Sequence, residues 1–238
     1  MFGVTDITTL NLSTQAPPPG EFKLREPQQF TLGPLFAQGK FEKLTTLTLH
    51  NTALSDDDVA HLRVLPALES LDLRATGISN QALHHLVCHR HTLTTLNISL
   101  NSRITDDARI ILKAFPNLAA LFLRGTSFTL TGVRTLALDD LNEGCRLLSL
   151  PAPVLEFIAR RDVVEIPAGY ISDPDPEKIA NMTLPNLKKN LQFHSKTNNK
   201  DIQVTGTKPE LVRRLTAVLR NYAADRRILE ILGRKPAA

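Results

Sequence analysis

At 238 residues and 42% apolar, the chain can bury one large or two small cores, and no apolar run approaches the ~20 residues that a bilayer crossing requires. Its opening Met-Phe-Gly-Val-Thr-Asp lacks the basic-then-apolar order of a secretory signal, and two cysteines, Cys88 and Cys145, are too few for a disulfide framework, so a reducing intracellular compartment is expected. The net charge of +4 hides a division: residues 178–238 carry 13 Lys/Arg against 4 Asp/Glu, a net of +9, while residues 1–177 sum to −5. An acidic body with a basic appendage points to a polyanionic partner.

In chain order, the first feature is an internal repeat. FEKLTTLTLHNTALSDDDVAHLRVLPA aligns with LESLDLRATGISNQALHHLVCHRHT, then with LTTLNISLNSRITDDARIILKAFPN and LAALFLRGTSFTLTGVRTLALDD. The strand leucines Leu47, Leu71, Leu96 and Leu121 follow one another at steps of 24, 25 and 25 residues. Leu10 and Leu12 begin an earlier, looser copy, and Leu148 and Leu150 a later one. Between Leu10 and Leu47 lies an insertion with Pro17-Pro18-Pro19-Gly20, expected to be an exposed loop.

Each unit has a legible physical logic. In Leu68-x-x-Leu71-x-Leu73 the last two leucines alternate, as in a short strand with one buried face. Then come a polar turn and helix-spaced Ala82, Leu83 and Leu86. Ser79 and Thr105 are expected to cap helices, with Asp56–Asp58 and Asp106–Asp107 complementing the helix dipole. One strand and one helix cannot bury their own apolar face, whereas stacked copies can.

Over roughly residues 5–155 this pattern resembles the leucine-rich-repeat family. The segments ALSDDDVAHL, GISNQALHHL and RITDDARIIL are similar to the cysteine-containing subtype of F-box-type substrate receptors. Thr52, Thr76, Asn101 and Thr126 stand where that subtype has asparagine or cysteine, and the first forty residues hold a repeat and a Pro-rich loop rather than an F-box. The resemblance implies a solenoid whose strands line a concave face. Its outward columns would be Asn11, Thr48, Asp72, Asn97, Phe122 and Ser149, beside Ser13, His50, Arg74, Ser99, Arg124 and Pro151. His50, Asp72, Arg74, Asn97, Phe122 and Arg124 are the expected protein-binding residues, with Phe122 and Arg124 foremost because exposed aromatics and arginines are enriched at hot spots.

After the repeats, VLEFIARRD (154–162) is expected to form a capping helix, and Pro167-Ala-Gly169 with Asp173-Pro-Asp-Pro176 to end the domain. Leu184, Leu187 and Leu191 mark one face of a short helix; Leu211, Leu215, Val218 and Leu219 mark a second. Thr207 and Glu210 have capping-box spacing, so that second helix should begin just past Gly206. Further on, Arg213, Arg220, Arg227 and Arg234 recur every seven residues, opposite an apolar side of Leu215, Leu219, Tyr222, Leu229 and Leu232.

Leu187, Lys188, Leu191, Gly206, Lys208, Leu211 and Leu215 resemble the SAP motif, a helix–extended–helix unit, over roughly residues 180–220. The 15 positions from Leu191 to Gly206 exceed the family's spacing by about six, so a bulging loop is expected there. The resemblance implies binding to duplex DNA, A/T-rich tracts among it, with little base readout. Lys188, Lys189, Gly206, Lys208, Arg213, Arg214 and Arg220 are the expected DNA-binding residues, since several cluster at helix starts where backbone N–H groups also attract phosphate.

Other constellations were set aside. His84, His85, Cys88, His89 and His91 lack the second ligand pair of a zinc site, and Cys88 is expected to be a small buried filler. No phosphate loop, nucleophile elbow or paired catalytic carboxylates occur, so neither catalysis nor a metal or other cofactor is expected. The expectation is an α/β leucine-rich-repeat solenoid of about five to six short coils over residues 1–165, a linker over 166–179 and an all-α SAP-like module over 180–238. Such a chain would be a nuclear, non-enzymatic adaptor that joins a protein partner to duplex DNA. The alternative is a substrate-recognition adaptor of a ubiquitin-ligase-type complex whose basic module contacts protein or RNA.

Overall fold

The computed structural model describes residues 6–14, 32–36, 41–159, 166–198 and 202–233. The expected loop at Pro17–Gly20, residues 160–162 of the expected capping helix, and Arg234 fall outside them. The chain divides into two compact units, Met1–Phe157 and Ile158–Ala238.

The first unit is built on a six-stranded parallel sheet whose strands stand in chain order. They are β1 (Thr9–Asn11), β2 (Thr46–Thr48), β3 (Ser70–Asp72), β4 (Thr95–Asn97), β5 (Ala120–Phe122) and β6 (Arg146–Ser149). Short helices lie between them: α1 (Gly33–Phe36), α2 (Asp56–Ala60), α3 (Asn80–His85), α4 (Ala108–Leu112) and α5 (Leu130–Thr135); α6 (Ala152–Ala159) follows β6 and contains the division at Phe157. One strand and one turn of helix per coil is an α/β, solenoid-like arrangement. Leu10, Leu47, Leu71, Leu96 and Leu121 pair with one another across neighbouring strands. From Leu47 onward these leucines are buried, as are Leu49, Leu73, Ile98 and Leu123 two residues further on.

Past the ends of β2 to β5 the chain turns through a left-handed residue: Asn51, Ala75, Leu100 and Gly125, with φ of 61°, 55°, 58° and 70°. That conformation disfavours a Cβ. It also points the backbone N–H along the stack, where Asn51 donates to Arg74 O at 2.9 Å, Ala75 to Ser99 O at 2.9 Å and Leu100 to Arg124 O at 2.6 Å. The residue after each corner is buried and polar. Thr52, Thr76 and Thr126 donate their hydroxyls to the carbonyl three residues back. Asn101 does more: its Nδ2 donates to Leu73 O and Ile98 O, and its Oδ1 accepts from the N–H groups of Thr76 and Gly77. A buried amide satisfied in this way costs little to bury and ties two coils together.

A second ladder joins the helix starts. Asp56 accepts from the Ser79 N–H at 2.7 Å and from its hydroxyl. Asn80 exchanges two bonds with Thr105, and Asp106 accepts from the Thr129 N–H at 2.8 Å and hydroxyl at 2.6 Å. These side chains therefore act between coils, where the sequence suggested only dipole complementarity. Ser79 caps α3 as expected. Thr105 does not cap α4, which begins at Ala108 after Asp107; its hydroxyl is engaged by Asn80 instead.

The structure departs from three further expectations. In the last coil, Leu121 pairs with Leu147 while Phe122 pairs with Ser149, so Leu148 is the extra residue of a β-bulge. Leu147 and Leu150 are buried and Leu148 is 44% exposed. Cys88 is exposed, because Leu86 and His89 take the inward positions of its short 3-10 turn. Ser99 and Pro151, expected on the outward face, are buried.

The second unit contains α7 (Pro176–Ala180), α8 (Leu184–Asn198) and α9 (Lys208–Ile231). Its core joins Ile179, Leu187, Leu191, Leu211, Leu215 and Leu219, flanked by Ile166, Ile171, Met182, Ile202, Val204 and Tyr222. The stretch 166–179, read as a linker, is thus packed into this unit, and the Ile171 N–H donates to Asn190 Oδ1 at 2.9 Å. Leu184 is 40% exposed at the first turn of α8 rather than part of its buried face. Helix α8 is longer than expected, running through the first residues of the polar stretch to Asn198; the surplus spacing is taken up largely as helix rather than as a loop. Phe193 stacks on Tyr170 with ring centroids 4.4 Å apart, and His194, at the start of that extension, packs at a tilt against Tyr222 at 5.2 Å. Along the C-terminal half of α9 the buried positions are Ala224, Asp225, Ile228 and Ile231, one residue out of phase with Leu229 and Leu232.

Candidate functional sites

The outward face of the first unit's sheet gathers the residues expected to meet a protein. Its central columns are anchored by their own backbone. Asp72 accepts from the Arg74 N–H at 2.9 Å, Asn97 from the Ser99 N–H at 3.1 Å, and Asn11 from the Ser13 N–H at 2.9 Å. These Asx turns hold the strand ends open, so Asp72 and Asn97 shape the face as well as line it. His50 Nδ1 lies 4.0 Å from Asp72 Oδ2, both half-buried. Phe122 is half-buried, Arg74 and Arg124 are exposed, and the Arg124 N–H donates to Ser149 Oγ at 3.3 Å. Asp72, Asn97 and Phe122 thus lie on the neighbouring strands β3 to β5, and His50, Arg74 and Arg124 lie in the turns just past β2, β3 and β5.

In the second unit, the expected basic residues fall into two groups. Lys188, Lys189, Lys208, Arg213 and Arg220 are exposed. Lys188 and Lys189 lie in the second turn of α8, and Lys208 is the first residue of α9. Lys189 Nζ sits 4.9 Å from the Tyr170 ring centroid, a contact that orients the ammonium while leaving it wet. Arg214 is half-buried, and its Nη1 donates to Gln203 O at 3.1 Å and to Thr205 O. It fastens the non-helical segment 202–205 onto α9, a role the sequence did not announce. Gly206 adopts φ of +136°, and a Cβ there would meet Glu210 Oε2 at 2.5 Å. Its glycine is therefore required by the turn into α9. Glu210 accepts from the Thr207 N–H at 2.9 Å; this bond, with Arg214 and Arg213 as lesser contributors, holds its carboxyl below the usual range.

No family model matches the chain, and no curated protein is found similar to it.

The histidine-rich helix face resolves into structural contacts. His89 is buried with Nε2 3.1 Å from Leu62 O, and desolvation pushes its pKa down. His91 Nε2 accepts from Arg90 Nε. The Cys88 thiol is pushed up, chiefly by desolvation, which works against a reactive thiolate. Among the described residues, no three His, Cys, Asp or Glu side chains are placed to hold a metal ion, and no helix is long and apolar enough to cross a membrane.

Proposed function

We propose that this chain is a non-enzymatic adaptor whose leucine-rich-repeat unit holds a protein partner and whose SAP-like unit binds duplex DNA in the nucleus. The repeat reading rests on one parallel strand per coil at the 24- and 25-residue steps from Leu47 to Leu121. The SAP-like reading is supported by two helices with non-helical backbone at 202–207 before the second, Gly206 in that turn and Lys208 opening the second helix.

The observation that carries the function is the exposure of Lys188, Lys189, Lys208 and Arg213 at the starts of two packed helices, in a segment of net charge +9. Such an array neutralises phosphates along a backbone and releases condensed counterions. Lysine-rich contacts of this kind fix position on a phosphate backbone without carrying sequence information, which favours sequence-tolerant duplex binding. The test is a titration of the full chain with a short duplex at several salt concentrations. Affinity should lie near the micromolar range and fall with a slope of roughly 0.9 per phosphate contact. Lys208→Ala should flatten that slope by about one contact. Affinity no better than that of a charge-matched unstructured peptide would overturn the reading.

A further inference from the structure

We propose that Ser172 is a phosphoacceptor for an acidophilic serine/threonine kinase, and that its phosphorylation weakens the nucleic-acid binding of the adjacent basic surface. The first half stands on local geometry and the second rests on the DNA-binding reading above. Ser172 is exposed in the span 171–175, which belongs to no helix or strand. That span is pinned at both ends: the Ile171 N–H is held by Asn190, and Asp175 caps α7 by accepting from the Glu177 N–H at 2.9 Å. Ser172 and Asp173 lie between the pins. A kinase cleft takes its acceptor as an extended strand, and Pro174 and Pro176 bias this stretch toward extended backbone.

Carboxylates follow the serine at the first, third and fifth positions: Asp173, Asp175 and Glu177. Among the described residues, Lys178 is the basic partner, 2.8 Å from Asp173 and 3.6 Å from Asp175, with the Asp173 side chain 54% exposed. This is the charge pattern that a kinase with a basic substrate groove selects. In the reaction, Ser172 Oγ attacks the γ-phosphorus of a nucleoside triphosphate. The new O–P bond replaces the bond to the bridging oxygen of the diphosphate, and the hydroxyl proton leaves to the kinase's base.

The position explains why the modification would matter. Tyr170, two residues before Ser172, carries the Lys189 ammonium over its ring, and Ile171 docks on Asn190, the neighbour of Lys189. At most about 7 Å of backbone separates Tyr170 from Ser172. A phosphate adds about −1.5 to −2 charges with three strong acceptor oxygens. Placed there, it draws Lys189 into an internal pair and repels incoming phosphates.

The experiment treats the full chain with an acidophilic kinase and ATP, locates phosphate by mass spectrometry, and titrates treated and untreated protein with duplex DNA at low salt. Expected are near-stoichiometric phosphate on Ser172 and affinity lowered roughly 3- to 10-fold, the scale of losing about one phosphate contact. Ser172→Ala treated in parallel should show neither. Asp175→Asn keeps a competent helix cap but removes the third-position carboxylate, and should slow incorporation at least about tenfold, the size of a lost charge-assisted contact. Ser172 left unmodified while a standard acceptor peptide is phosphorylated, or equal rates in Asp175→Asn, would overturn the site. Full modification with unchanged DNA affinity would overturn its consequence. Failure of the untreated chain to bind DNA would sink the adaptor reading and that consequence with it, while the phosphate map still decides the site.

Discussion

Replacing Gly132 by alanine should destabilise the first unit, although the same change in an open helix ordinarily stabilises. Gly132 lies in the first turn of α5, where its N–H donates to Thr129 Oγ1 at 3.1 Å. Thr129 in turn gives its N–H and hydroxyl to the two oxygens of Asp106. A Cβ on Gly132 would stand 1.8 Å from Asp106 Oδ1 and 2.2 Å from its Cγ, so the carboxylate must leave. Two hydrogen bonds to a partly exposed carboxylate are lost, about 1 kcal/mol each after solvent screening. Against this stands a gain of about 0.5–1 kcal/mol from alanine's helix preference. The net expectation is a loss of about 1–1.5 kcal/mol. With Asp106→Ala already in place, the obstruction is gone and Gly132→Ala should stabilise by about 0.5–1 kcal/mol. Urea unfolding of the four members of this cycle, with amide exchange at Thr129 as a local probe, measures the coupling, expected near 2 kcal/mol. A stabilising Gly132→Ala in the parent chain, or an equal effect in both backgrounds, would refute the reasoning.

Ala75→Gly should stabilise by up to about 1 kcal/mol in the same assay, because relief of the left-handed strain outweighs the added unfolded-state entropy; a loss would mean the corner imposes no strain. Leu147→Ala should cost about 2–5 kcal/mol and Leu148→Ala under about 1 kcal/mol, and the reverse order would place the bulge one residue off. Burial lowers the folded-state pKa of His89 and of His194. Stability is therefore fully present above the unfolded value of about 6.5 and declines as pH falls below it, by at most about 1.4 kcal/mol per pH unit for each histidine. Urea midpoints at pH 7.5 and pH 5 should diverge less in His89→Asn than in the parent, and identical divergence would remove His89 from the account.

The strands were legible because the leucines of a one-sided strand alternate at period two and recur at coil spacing, a signal that Leu47, Leu71, Leu96 and Leu121 carry without interruption. It failed at Leu148, where a run of Leu147-Leu148 offers two registers and only pairing to β5 selects one. The capping chemistry was legible at Ser79, a local signal. The Asp56–Ser79 and Asp106–Thr129 bonds span 23 residues and depend on how coils stack, so the same carboxylates looked like dipole partners. In the second unit the capping-box spacing of Thr207 and Glu210 located α9. The breakers at Pro167–Pro176 suggested a linker because proline and aspartate mark irregular backbone, whether or not that backbone is packed. Of the expected basic residues, Arg214 has a fastening role that no charge pattern distinguishes from that of Arg213 beside it.

The bulge in β6 interrupts the regular edge of an otherwise even parallel stack. A parallel sheet grown by stacking is a template at each end, since its last strand offers unpaired N–H and C=O groups to the first strand of another copy. Head-to-tail addition of that kind does not close on itself and leads to fibres. Strands β1 to β5 share an unbroken three-residue ladder, the geometry that would propagate. With Leu148 swung out of line, β6 accepts β5 on one side but presents a broken ladder to any newcomer. Deleting Leu148 is expected to restore an even three-residue ladder between β5 and β6, and sedimentation of that variant at rising concentration would read whether an even edge promotes head-to-tail association.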